Sequence, residues 1–122
     1  MSPASPAARA TIPDADFIVA LTTLQSASDA RKLVRELVER RIIACGTVLA
    51  GGKSIYRWAS KITETSEAVV LMKTRRERWT ALESVIRERH PYEVPELLAL
   101  PVQAGLSSYL GWLTAETTED AA

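Results

Sequence analysis

With 122 residues, 47% of them apolar and 25% charged, the chain has the length of one domain and enough apolar material for one core. Fifteen Lys and Arg residues balance fifteen Asp and Glu, so the overall attraction that draws basic proteins to nucleic acid or anionic membranes is missing. No apolar run approaches the ~20 residues of a bilayer-spanning helix, and the single Cys45 cannot form an internal disulfide; neither nucleic acid nor a membrane is an expected partner.

Residues 1–14 hold Pro3, Pro6 and Pro13 among small side chains. They carry too little apolar surface to offset ordering entropy, and they lack the basic start and apolar stretch of a signal peptide. A disordered leader and a cytoplasmic location are therefore expected. Asp16 to Thr23 is rich in strand formers, and Ser26-Ala27-Ser28-Asp29 has the spacing of a capping box that opens a helix. In that helix Ala30, Leu33, Val34, Leu37 and Val38 recur at three and four residues, which gives one packed and one solvated face.

Ile42 to Leu49 reads as a second strand, Gly51-Gly52 permits a turn or bulge, and Ser54 to Trp58 continues extended, so one long interrupted strand is expected. Glu67 to Lys73 is a third strand. Thr74-Arg75-Arg76-Glu77 repeats the capping-box spacing ahead of a helix through Trp79, Leu82, Val85 and Ile86. That helix stops near Arg89, because Pro91 disfavours helical geometry at His90. Leu97 to Val102 supplies a last strand edged by Pro95 and Pro101, and Leu106, Tyr109, Leu110 and Leu113 a short final helix. Residues 15–115 form the expected domain, and 116–122 an acidic tail.

The order strand, helix, strand, strand, helix, strand specifies an α+β, ferredoxin-like βαββαβ sandwich. It has a four-stranded antiparallel sheet with two main helices on one face, plus the short C-terminal helix. Ala68-Val69-Val70-Leu71-Met72 is apolar at every position instead of alternating. Both faces of that strand should then be covered, the second by another subunit.

The polar and aromatic chemistry is concentrated in Ser54 to Lys73 and in His90 to Glu96. Tyr56 and Trp58 share a strand face by period two and form either a ligand platform or an interface patch. Lys61 and Glu67 would face each other across a hairpin whose tip is Ile62 to Ser66, with Trp58 opposite Val70 and Tyr56 opposite Met72; they border a cleft or form a simple surface ion pair. Glu67 and Lys73 lie six residues apart on one strand, roughly 20 Å, so a joint role needs a neighbouring chain. His90 is either a helix cap or a ligand. With Tyr92, Glu93 and Glu96 beside it, it supplies the imidazole and oxygen donors that suit divalent copper or zinc. Cys45 shares the parity of Ile43, Thr47 and Leu49, and is either a small buried apolar side chain or a soft ligand for monovalent copper.

Cys45, Gly51, Ser54-x-Tyr56-x-Trp58, Lys61, Glu67, Lys73-Thr74 and His90-Pro91-Tyr92-Glu93-Val94-Pro95-Glu96 occur in this order. Between Phe17 and about Ala115 the chain thereby resembles the CutA divalent-cation tolerance proteins. The resemblance implies a homotrimer with inward-facing sheets, non-enzymatic, binding a divalent cation such as copper or a small molecule in clefts between subunits. By the donor chemistry above, His90, Cys45 and Glu93 are the expected metal donors, and Tyr56, Trp58, Lys61, Glu67, Lys73, Tyr92 and Glu96 are the residues expected in the cleft. Several positions depart from the family's pattern, and Cys45 stands alone where some members have further Cys residues. Ala50-Gly51 stands for Pro-Gly, Arg89 stands where some members have a second His, and Ala59-Ser60 stands for Glu-Gly, which removes an acidic group from the cleft.

Other readings of the same residues are a small-molecule sensor resembling the PII-like signalling proteins and a trimeric scaffold for a partner protein. No Ser, His and Asp arrangement, glycine-rich nucleotide fingerprint or metal-hydrolase motif points to an enzyme. The basic, aromatic strand motif of RNA-recognition modules on this fold is missing too.

Overall fold

The computed structural model describes residues 15–118. Within them the chain runs β1 (Phe17–Leu24), α1 (Ala27–Glu39), β2 (Cys45–Trp58), β3 (Lys61–Arg75), a 3₁₀ turn (Arg76–Arg78), α2 (Trp79–Arg89), β4 (Leu98–Pro101) and α3 (Ser107–Glu116). The strands form one antiparallel sheet in the order β2-β3-β1-β4, the ferredoxin-like arrangement that the element order specifies. No helix among the described residues is long and apolar enough to cross a membrane.

Local chemistry sets the boundaries. Ser26 Oγ accepts the Asp29 N–H at 3.2 Å and opens α1. The helix closes with the Ile42 N–H on the Leu37 carbonyl and the Arg41 N–H on the Val38 carbonyl, around Arg41 at φ 57°, a position glycine usually takes. Ile42 to Ala44 are not strand, as expected from sequence, but a buried connection into β2. Helix α2 ends at Arg89, with His90 extended at ψ 132°, as the following proline requires.

The second capping box does not form. Thr74 belongs to β3, and its buried hydroxyl donates to the Ile42 carbonyl at 2.7 Å. The 3₁₀ turn intervenes before α2, and among the described residues no side-chain hydrogen bond caps the start of that helix. The packed body also reaches past residue 115. Thr117 is fully buried, its Oγ and carbonyl both receive Arg75, and Arg41 donates to the Glu116 carbonyl. The start of the expected acidic tail is thus folded, while residues 119–122 and the leader 1–14 lie outside the described residues.

Even-numbered residues of β1 and β3, among them Ile18, Ala20, Val70 and Met72, face Leu33 and Leu37 of α1 and Leu82 and Ile86 of α2 in one core. Among the described residues the opposite face of the sheet has no such cover. There Val19, Leu21, Val69 and Leu71 are half-buried, and Leu49, Leu98 and Leu100 are exposed. Helix α3 closes only one end of this open face, where Tyr109 meets Cys45 and Thr117 meets Arg75.

Candidate functional site

The register of the long hairpin decides where the site residues go. Trp58 pairs with Lys61, Tyr56 with Thr63 and Gly52 with Glu67. The tip is therefore Ala59-Ser60, not Ile62 to Ser66, and Lys61 does not face Glu67. Six residues of strand, about 20 Å, separate the two. Trp58 does not oppose Val70, nor Tyr56 Met72. The sequence misleads because Ala59 and Ser60 carry no turn signature, yet both adopt positive φ, 51° and 66°, as the two-residue turns favoured by twisted hairpins require.

Between Leu49, paired with Val69, and Gly52, paired with Glu67, β2 holds one extra residue. Gly51 supplies the φ of +84° for this bulge, and a Cβ on Gly52 would sit 2.8 Å from the Glu67 carbonyl oxygen. The bulge reverses the parity of β2. Cys45, Thr47 and Leu49 before it and Ser54, Tyr56 and Trp58 after it consequently share the open face with Lys61, Glu67 and Lys73.

Along that face the expected site residues form three separate groups. At the tip, Tyr56, Trp58 and Lys61 are exposed. At the far end, Cys45 Sγ lies 3.8 Å from the Tyr109 hydroxyl, whose ionisation burial and this contact with Cys45 push to higher pH. Lys73 Nζ donates to Thr47 Oγ1 nearby at 3.5 Å.

The middle group is a network. The Tyr92 hydroxyl donates to Glu67 Oε2 at 2.6 Å. The His90 Nε2–H donates to the Thr23 carbonyl at 2.7 Å, and His90 Nδ1 accepts the Tyr92 N–H at 3.1 Å. The two rings stack edge to face, 4.6 Å between centroids. Burial works against the charge on Glu67, but hydrogen bonds from Ser54, Tyr92 and Thr23 outweigh it and hold the carboxyl below its ordinary value. Burial, the hydrogen bond to Glu67 and the charge of Glu67 push the Tyr92 phenol well above its ordinary range.

This geometry redefines several expected donors. His90 is buried with both ring nitrogens engaged inside the chain, so it pins the segment that carries Tyr92 and offers a metal no lone pair. Cys45 pairs with Lys73, whereas the Thr23 that His90 reaches pairs with Val69, four strand residues or about 13 Å away. Glu93 and Glu96 are exposed beyond Tyr92. Among the described residues no three His, Cys, Asp or Glu side chains converge to hold a metal ion, so these donors, within one chain, do not assemble a divalent-cation site. Thr23 was not among the expected site residues: it lies in an ordinary apolar strand, and only the contact of its carbonyl with His90, 67 residues away, reveals it. Ser54 carried the signal of its Ser-x-Tyr-x-Trp setting.

Fold and site together define a small ferredoxin-like protein whose polar and aromatic groups are spread over an uncovered sheet face instead of gathered in one cleft of the chain. Residues 18–116 match the CutA1 divalent ion tolerance protein family, and the chain belongs to that family. It is 41% identical over 103 residues to the divalent-cation tolerance protein CutA of Pectobacterium atrosepticum, covering 84% of this chain and 94% of that one. It superposes on the crystal structure of CutA from Xylella fastidiosa with TM-score 0.82 and 36% identity, over 85% of this chain and all of that one. CutA1 from Oryza sativa gives TM-score 0.83 at 30% identity, covering 87% and 97% of the two chains.

Proposed function

We propose that the protein serves divalent-cation tolerance in the cytoplasm as a non-enzymatic homotrimer, binding a divalent cation such as copper, or a small ligand, where subunits meet. The observation that carries this reading is the open sheet face. Leu49, Leu98, Leu100, Tyr56 and Trp58, between 40% and 56% exposed, all project from it, an apolar patch that isolated soluble chains rarely leave uncovered. The number three comes from the family resemblance.

Because the described donors of one chain do not converge, a cation site in this reading takes groups from more than one subunit. The mass in solution by light scattering, followed by calorimetric titration with Cu²⁺, Zn²⁺ and Mg²⁺, tests it. A trimer with saturable cation binding is the expected result. A monomer overturns the assembly, and a trimer without binding heat overturns the cation and leaves the small ligand. The engagement of both His90 nitrogens favours that second ligand class, which thermal stabilisation by a metabolite would reveal.

A further inference from the structure

We propose that the Glu67 carboxylate is completed across the subunit boundary by the Lys61 ammonium group of a neighbouring copy. This rests on the reading that the chain self-associates. Glu67 is 8% exposed, and its hydrogen bonds come from Tyr92, Ser54 and Thr23, all neutral. Among the described residues no Lys or Arg forms an ion pair with it. The neutral donors keep the carboxylate charged in spite of its burial, and a buried charge in a folded protein is as a rule paired as well as hydrogen-bonded.

The missing cation has one good source. Glu67 faces the open side of the sheet, the side with the exposed apolar patch, so a second copy seated there would arrive at this carboxylate. Of the cations on the same face, Arg75 is held by Glu77 and Thr117, and Lys73 is half-buried against Thr47. Lys53 and Arg57 point to the other side of the hairpin by register. Lys61 alone is exposed at the projecting tip, shares the face of Glu67 and has no acidic partner among the described residues.

The roughly 20 Å of rigid strand between the two groups prevents their meeting within one chain. It suits a head-to-tail ring in which each tip reaches the next subunit's carboxylate. Trp58 pairs with Lys61 across the hairpin, and Tyr56 precedes it on the same face, so the arriving ammonium brings apolar cover that excludes water from the pair.

The test is the dissociation constant of the assembly, by sedimentation over a dilution series, for Lys61→Met, Glu67→Gln, their combination, and Lys73→Met. Each of the first two should ease dissociation about thirtyfold or more per contact, and the combination should be no worse than the poorer single variant, because the pair is already lost. Met keeps the aliphatic stem, so a Lys61 that merely packs would leave Lys61→Met unchanged. Additive losses, wild-type assembly of Lys61→Met, or coupling of Glu67 to Lys73 instead would each overturn the assignment. If Glu67→Gln does not fold, Lys61→Arg decides: assembly retained by Arg and weakened by Met supports the pair, while equal behaviour of the two overturns it. An unmutated chain that stays monomeric overturns the self-association reading itself; a wild-type trimer indifferent to Lys61→Met overturns only the pair.

Discussion

The tip of the long hairpin turns on Ala59 and Ser60 at φ 51° and 66°, two side-chain-bearing residues in a conformation natural hairpins usually give to Asn and Gly. Each Cβ in the left-handed region costs roughly 1 kcal/mol, less for Asn and nothing for Gly. Ala59→Asn should recover about 0.5 kcal/mol and Ser60→Gly about 1 kcal/mol, of which the extra freedom of glycine in the unfolded chain takes back about 0.5 kcal/mol. The net gain for the pair is about 1 kcal/mol, or ~4 °C in midpoint for a chain of this size. Both positions are exposed and lie outside the Trp58 to Lys61 closing pair, so the gain does not depend on repacking. Urea and thermal unfolding at matched protein concentration measure it, because association raises apparent stability. Ala59→Val, a branched side chain at the same φ, should instead lose about 1–2 kcal/mol. If the double variant is neutral and Val is tolerated, the two-residue turn is wrong, and with it the register that sets Gly52 opposite Glu67.

Four further variants test particular contacts. Among the described residues, Thr22 Oγ1 is the one buried side-chain polar atom without a hydrogen-bond partner; Thr22→Val should raise the urea midpoint by an equivalent of about 1 kcal/mol, and a loss would show that the hydroxyl is satisfied. Gly52→Ala places a methyl group against the Glu67 carbonyl and should cost about 1–3 kcal/mol by the same assay, with unchanged stability as the contrary result. The folded Glu67 carboxyl titrates below its unfolded value of 4.5, so its stabilisation is present above that pH and is lost as pH falls through the folded value. Glu67→Gln should therefore flatten the acid side of the stability profile. Tyr92 is shifted the other way from 10.0; its stabilisation is full below pH 10 and is lost above it, so Tyr92→Phe should flatten the alkaline side, and unchanged limbs would contradict the network.

Signals that are local in sequence correspond to the structure, and those that depend on distant partners do not. Ser26 announces α1 because the cap and the donor it satisfies lie three residues apart. Thr74 carries the same signature and fails, because its hydroxyl is taken by the Ile42 carbonyl, 32 residues away. The apolar run of β3 was legible, but its first six residues, Lys61 to Ser66, leave no burial imprint, since they alternate between exposed and half-buried in a projecting hairpin. His90, Tyr92 and Glu67 stand out as residue types. Their roles do not, because the partner that fixes the His90 ring is a backbone carbonyl of β1, a group every residue has.

The site's composition is set by the bulge more than by any one of its side chains. Were the same sequence paired without the bulge, the parity of β2 would run unbroken from Cys45 and place Ile55 and Arg57, opposite Thr63 and Lys61, on the face of Glu67, with Tyr56 and Trp58 on the opposite side of the hairpin. The open face would then present a branched aliphatic and a guanidinium in place of two aromatics, and Lys61 would lose the Trp58 that pairs with it. One glycine in a left-handed conformation thus decides which chemistry a neighbouring subunit meets. Single changes at Gly51 or Gly52 therefore bear on association as well as on the stability of the sheet.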